Sequence, residues 1–127
     1  MRRFASITAC WMAVGAPALI SSPAAWADDV VTYEVVSDHV GMANIEYQDA
    51  AGRISIPGAA LPWRFDAVVP AMGAPPPAGS QVRADWRPSA APGRWVTVRI
   101  VSRGKVICQS TLDIGDAACY GITRRVT

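Results

Sequence analysis

The chain of 127 residues contains one histidine, His39. A lone imidazole cannot build the usual zinc site, which takes three or four His, Cys or carboxylate ligands. It cannot serve a cysteine nucleophile either, because the two cysteines of the exported part, Cys108 and Cys119, are expected to be tied to each other (below). His39 therefore reads as a solvated residue of the turn Ser37-Asp38-His39-Val40-Gly41. A glycine-rich phosphate loop is also missing. Ser102-Arg103-Gly104-Lys105 matches S-x-x-K, but in penicillin-interacting enzymes that motif opens a helix, and K-T-G is absent here. Asp113 with Asp116 flanks a turn and Asp28 with Asp29 starts the exported chain, so neither carboxylate pair is placed for glycoside chemistry. Outside the first 27 residues no segment repeats apolar positions at the 3.6-residue helical period. These gaps argue against an enzyme and against any metal or cofactor.

An excess of one charge is lacking too, once the N-terminus is set aside. Arg2 and Arg3 precede an uncharged apolar run, Phe4 to Ile20, which Ser21-Ser22-Pro23 breaks. Ala25-Trp26-Ala27 then stands as a small-x-small cleavage site before Asp28-Asp29. This is the layout of a secretory signal peptide cut between Ala27 and Asp28. The competing reading is an anchor through residues 4–20, a run at the lower limit for crossing a bilayer and interrupted by Pro17. Ile7-Thr8-Ala9-Cys10 loosely resembles a lipoprotein box, but only Phe4 to Ser6 precede it as apolar core, which is too short. The chain thus divides into a leader, 1–27, and one domain, 28–127, in the cell envelope, periplasm or outside. Two of the 12 basic residues leave with the leader, so basic and acidic side chains balance at 10 each. Arg124-Arg125 are then the only adjacent basic pair, and they sit in a tail expected to fray. Nucleic acid, which demands clustered Lys and Arg, is excluded as a partner.

What the domain does have is period-2 alternation. Val31, Tyr33 and Val35 share a face, as do Ala43, Ile45 and Tyr47. Asp49-Ala50-Ala51-Gly52 is a hairpin loop, Arg53 to Ile56 returns, and Pro57-Gly58 is expected to stop it. Trp63, Phe65, Ala67 and Val69 line one side of the next strand, and Val82, Ala84 and Trp86 one side of another. Between these two, Pro70 to Ser80, with Pro75-Pro76-Pro77 at its centre, reads as a semi-rigid loop. Trp95 to Tyr120 reads as three consecutive antiparallel strands. Val96, Val98 and Ile100 lie inward, Gly104 supports a tight turn, and Val106, Cys108, Ser110 and Leu112 share one face of the returning strand. A second turn centred between Asp113 and Ile114 sets Cys108 opposite Cys119, within adjusting distance of a disulfide. Export favours that bond, and Cys10 leaves with the leader.

Seven or eight short strands with regular turn signals predict an all-β fold, an antiparallel β-sandwich of immunoglobulin-like size. A small closed barrel is the alternative. Trp63 and Trp86 are assigned to the core. Trp95 alternates out of phase with Val96, Val98 and Ile100, so it points outward. An exposed aromatic tends to mark a binding surface. The candidate partner-binding surface is therefore Trp95 with the stiff loop of Pro75, Pro76 and Pro77.

Five stretches carry a family resemblance: Val31-Thr32-Tyr33-Glu34-Val35, Ile45 to Gly52 (I-E-Y-Q-D-A-A-G), Leu61-Pro62-Trp63, Arg99 to Val106 (R-I-V-S-R-G-K-V), and Cys119. In order and spacing they resemble the mycobacterial small membrane protein (MmpS) family of transport accessory proteins, over most of residues 31–121. The resemblance implies a β-sandwich outside the cytoplasmic membrane that partners a large MmpL transporter of the resistance-nodulation-division type. Such pairs export lipids, glycolipids or siderophores. Two features depart from that pattern. The family commonly has a cysteine in the strand before the Gly-Lys turn, where this chain has Val98, and it usually keeps its N-terminal apolar segment as an anchor. A free secreted binding module for an apolar ligand or a protein partner is the second reading.

Overall fold

The computed structural model describes residues 28–127. Ala27, on one side of the expected cleavage site, and the segment 4–20 lie outside the described residues. Nine strands follow one another: β1 (Asp29–Val36), β2 (Met42–Asp49), β3 (Gly52–Ala60), β4 (Trp63–Val69), β5 (Gln81–Asp85), β6 (Val96–Ser102), β7 (Lys105–Leu112), β8 (Asp116–Tyr120) and β9 (Arg125–Val126). They form two sheets, ordered β4-β1-β6-β7-β9 and β3-β2-β5-β8, with every pairing antiparallel except β7 with β9. The sheets pack face to face as a β-sandwich.

The alternation seen in the sequence decides what lies between them. Val31, Tyr33 and Val35 of β1, Ile45 of β2, Val82 and Ala84 of β5, and Val96, Val98 and Ile100 of β6 are all essentially inaccessible to solvent, as is Trp86. Each large apolar side chain buried this way contributes about 1.5–3 kcal/mol relative to exposure. The space between the sheets is filled by these side chains. One polar clamp crosses it: the Tyr33 hydroxyl donates to the Gln48 carbonyl at 2.6 Å and accepts from the Gln81 N–H at 3.2 Å, joining β1 of one sheet to β2 and β5 of the other. Burial pushes this hydroxyl's pKa up to about 12, the Gln81 N–H opposing the shift.

Four expectations are corrected. The last three strands do not form one meander. β6 and β7 are a hairpin, turning through Arg103 and Gly104, both at positive φ. After Leu112 the chain crosses to the other sheet, where β8 pairs with β5 and not with β7. Cys108 and Cys119 are bonded all the same, with Cα atoms 5.7 Å apart, but the bond staples the two sheets and does not link neighbouring strands.

A β-bulge makes this bond possible. Pairing runs Val101 with Val106 and then Ile100 with Cys108, so Ile107 is an extra residue in β7. Without it Cys108 would oppose Arg99 on the solvent side. With it Cys108 shares the buried face of Ile100, while Val106 is left outside at 42 % exposure. Val106 and Cys108 therefore do not share a face, contrary to the simple alternation.

Pro57-Gly58 does not end β3 either. β3 is an edge strand, where a missing N–H is tolerated. The register shifts between Ala43 and Ile45, and the Asn44 side-chain oxygen accepts the Gly58 N–H at 2.8 Å. Last, the tail at Arg125–Val126 pairs in parallel with Cys108 and Gln109 where fraying was expected.

Trp86 is a core residue as expected. Trp63 is only half-buried, packed on the margin of the core beside Tyr47 at a ring separation of 5.6 Å.

Candidate functional site

Trp95 stands at the entrance to β6 and is 47 % exposed, although Val96 beside it is fully buried. The backbone here is latched to the β1–β2 turn. The Ser37 hydroxyl donates to the Trp95 carbonyl at 2.6 Å and itself accepts from the N–H groups of His39 and Val40 at 3.0 and 2.9 Å. Arg94 donates from its guanidinium to the His39 carbonyl at 2.8 Å. A cleft of about 440 Å³ opens beside the indole, lined by Val36, Asp38, His39, Pro62, Thr97 and Thr111, among others. Thr97 and Thr111, both lining it, share a hydrogen bond of 2.9 Å across the β6–β7 pair.

The next row of the same sheet face is charged. Arg64, Glu34, Arg99 and Gln109 lie side by side on β4, β1, β6 and β7. Arg99 donates to Glu34 at 2.6 Å and to the Gln109 side-chain oxygen at 2.8 Å, and Arg64 is 3.7 Å from Glu34. The cleft thus presents one large aromatic with a polar, rigid surround. Such a surface can recognise a partner by contact, because a tryptophan on a strand gives up little conformational entropy on binding.

Pro75, Pro76 and Pro77 are exposed, but at the opposite end of the sandwich. Their loop is bound to the start of β1, where the Asp29 carboxylate accepts the Met72 N–H at 2.8 Å, and to the end of β8 through Gly121 N–H on the Ser80 carbonyl at 3.0 Å. Trp95 is fixed to the other end of β1. That 8-residue strand spans about 23 Å at ~3.3 Å per residue. The expected joint surface of Trp95 with the 70–80 loop is therefore not formed. The loop is stiffer than its prolines alone imply: Ala71 N–H reaches the Ala78 carbonyl at 3.0 Å, and Gly79 N–H the Pro75 carbonyl at 3.1 Å. A Cβ at Gly79 would lie 1.6 Å from the Ala74 carbonyl oxygen, so only glycine fits there.

The remaining sequence candidates are dispersed. Asp113 accepts the Gly93 N–H at 2.9 Å, whereas Asp116 pairs with Arg83 at 3.1 Å. Asp28 and Asp29 border a second open cleft of about 460 Å³ with Arg64 and the β6–β7 turn. Ser102 and Lys105 are paired residues flanking that turn. No group of three or more His, Cys, Asp or Glu side chains suited to a metal ion occurs among the described residues.

Sequence reasoning found Trp95, and by alternation Thr97 on its face, but not the rest of the cleft. Asp38 and His39 were dismissed as turn residues, and Thr111 falls opposite Thr97 only because the Ile107 bulge shifts the register by one. The disulfide of a domain this small fits an oxidising, exported setting. No helix among the described residues is long and apolar enough to cross a membrane. The chain matches no protein-family model and no curated protein sequence.

Proposed function

We propose that this domain is a non-enzymatic contact module of the cell envelope, an accessory to a large membrane transporter of the MmpL type in the export of a lipid, glycolipid or siderophore. The observation that carries the reading is the exposed indole of Trp95 on a latched, rigid strand end, beside an open cleft. Interface anchors are most often aromatic, and their loss typically costs ~2 kcal/mol or more of binding. The resemblance of residues 31–121 to the MmpS family supports the choice of partner. The burial of Val31, Tyr33, Ile45, Val82, Val98 and Ile100 between the sheets supports a surface contact over a ligand held inside.

A pull-down from envelope extracts tests this. Wild-type protein should recover a transporter-class membrane protein, and Trp95→Ala should recover much less while keeping its fold. If wild type recovers no such protein, the module works alone. That second reading, a free secreted binding module for an apolar ligand or a protein partner, is favoured by the Ala25-Trp26-Ala27 cleavage motif. N-terminal sequencing bears on it: a mature chain starting at Asp28 is released, whereas one starting at Met1 or Arg2 keeps residues 4–20 as an anchor.

A further inference from the structure

We propose that two copies of this chain associate by pairing their β4 edges antiparallel about a two-fold axis through Phe65, extending the five-stranded sheets into one. β4 is the outer strand of its sheet, bonded to β1 alone. Its free side can be read from one bond: the Val68 carbonyl accepts the Ala50 N–H at 2.7 Å, so Val68 points its backbone away from β1. Backbone direction alternates along a strand. Asp66 and Arg64 therefore also aim their N–H and C=O groups outward, and among the described residues no backbone or side-chain partner takes them.

The open stretch is short and bounded. Ala50 occupies the edge at Val68, and Pro62, which has no N–H, precedes the strand at the other end. What remains is Trp63 to Ala67, centred on Phe65. An isologous antiparallel pair must be centred on one point of the strand. Centred on Phe65, it sets Arg64 opposite the partner's Asp66, and Asp66 opposite the partner's Arg64. These are the residues whose backbone groups face outward, so each forms a closely hydrogen-bonded pair, four N–H···O bonds in all for the two copies. Opposite charges directly across adjacent strands attract. The two Phe65 rings, each 40 % exposed, meet in the non-hydrogen-bonded position at the axis. A recess of about 310 Å³ beside Phe65, walled by Asp49, Ala50 and Ala51, leaves room for them.

The side chains are ready for this role. Asp66 is held by one oxygen, Oδ1, which accepts the Thr32 hydroxyl at 2.7 Å, leaving Oδ2 for the partner's guanidinium. Arg64 is 68 % exposed and only loosely associated with Glu34 at 3.7 Å. Charges on an open edge usually guard it against pairing. A guard of one sign repels every copy. An Arg and an Asp two residues apart, symmetric about the middle of the open window, select an antiparallel copy of the same strand instead.

Sedimentation equilibrium on the exported, disulfide-bonded protein tests the proposal. Wild type should show a concentration-dependent dimer. Arg64→Asp or Asp66→Arg, each placing two like-charged pairs across the axis, should weaken association by about tenfold. The double exchange Arg64→Asp with Asp66→Arg restores both pairs in reversed order and should restore the wild-type constant, a rescue that a merely structural role for either residue would not give. Phe65→Cys should cross-link to dimer on mild oxidation, because residues at a non-hydrogen-bonded position on the axis lie within disulfide reach. Val68→Cys should not. A wild-type protein that stays monomeric, a dimer indifferent to the single reversals, or a double exchange that folds without rescue would each overturn the assignment.

Discussion

The two flanks of the sandwich are closed by different means. On the β7–β8 side the sheets are joined covalently by Cys108–Cys119, and beside it Ser110 on β7 and Ala117 on β8 are small, with Ile107 of the bulge the large side chain buried there. On the β3–β4 side no covalent link exists, and rings do the work. Tyr33 and Tyr47 lie 5.6 Å apart, Tyr47 and Phe65 5.0 Å, and Trp63 stacks on Phe65 at 6.3 Å. A disulfide holds a flank together without bulk, whereas aromatic closure needs surface, and some of that surface stays in solvent. That is why Phe65 remains 40 % exposed on an unpaired edge, and why the aromatic flank is the one available to a second copy.

This contrast can be broken at four points, in decreasing order of effect. Cys119→Ser removes the staple and should cost about 2–5 kcal/mol in denaturant unfolding of oxidised protein. Cys119 also sits fully buried against the Val98 carbonyl, so the substitution leaves a hydroxyl in an apolar site. Trp63→Ala opens the other flank. A fully buried Trp would cost about 3–5 kcal/mol, and the half-burial of Trp63 lowers the expectation to about 2 kcal/mol. If Trp63→Ala proves the costlier of the two, the ring cluster and not the disulfide is the principal closure.

Tyr33→Phe removes the hydroxyl that joins the sheets and leaves the Gln48 carbonyl and Gln81 N–H short of a partner, for about 1–3 kcal/mol. It also changes the response to alkali. The folded protein holds the Tyr33 proton up to about 12, against 10.0 when exposed, so the folded state binds more protons above pH 10. The resulting stability is complete below pH 10 and is lost as pH climbs toward 12. Urea midpoints measured across that window should fall steeply for wild type and less steeply for Tyr33→Phe. The smallest effect belongs to Trp95→Ala. It lies on neither flank and should change stability by no more than ~0.5 kcal/mol, as surface substitutions do. A cooperative melt at an unchanged midpoint checks it, and a loss above 2 kcal/mol would make Trp95 a structural residue.

Strands, turns and the inside–outside sense of most positions were already written in the sequence, because they are local. Alternation of period two follows from the pleat, so Val96, Val98 and Ile100 went in and Trp95 came out without reference to any partner. The Arg103-Gly104 turn is equally local, set by the φ values it demands. Which strands meet is not local. Cys119 opposite Cys108 followed from a hairpin that the chain does not make; the real bond needs β8 to join β5 and Ile107 to bulge out of register. Neither event has a signature in the residues between Asp113 and Asp116. The choice between sheets is made by where Ala117 and Cys119 can bury against strands far away in the chain. The same applies to the candidate surface: Trp95 and the proline loop are separate because β1 runs between them, and the edge of β4 is open because only β1 pairs with it. Chain-local physics determined the elements and their faces. Burial shared between distant strands decided their order, and with it the disulfide's role, the cleft beside Trp95 and the unpaired edge at Phe65.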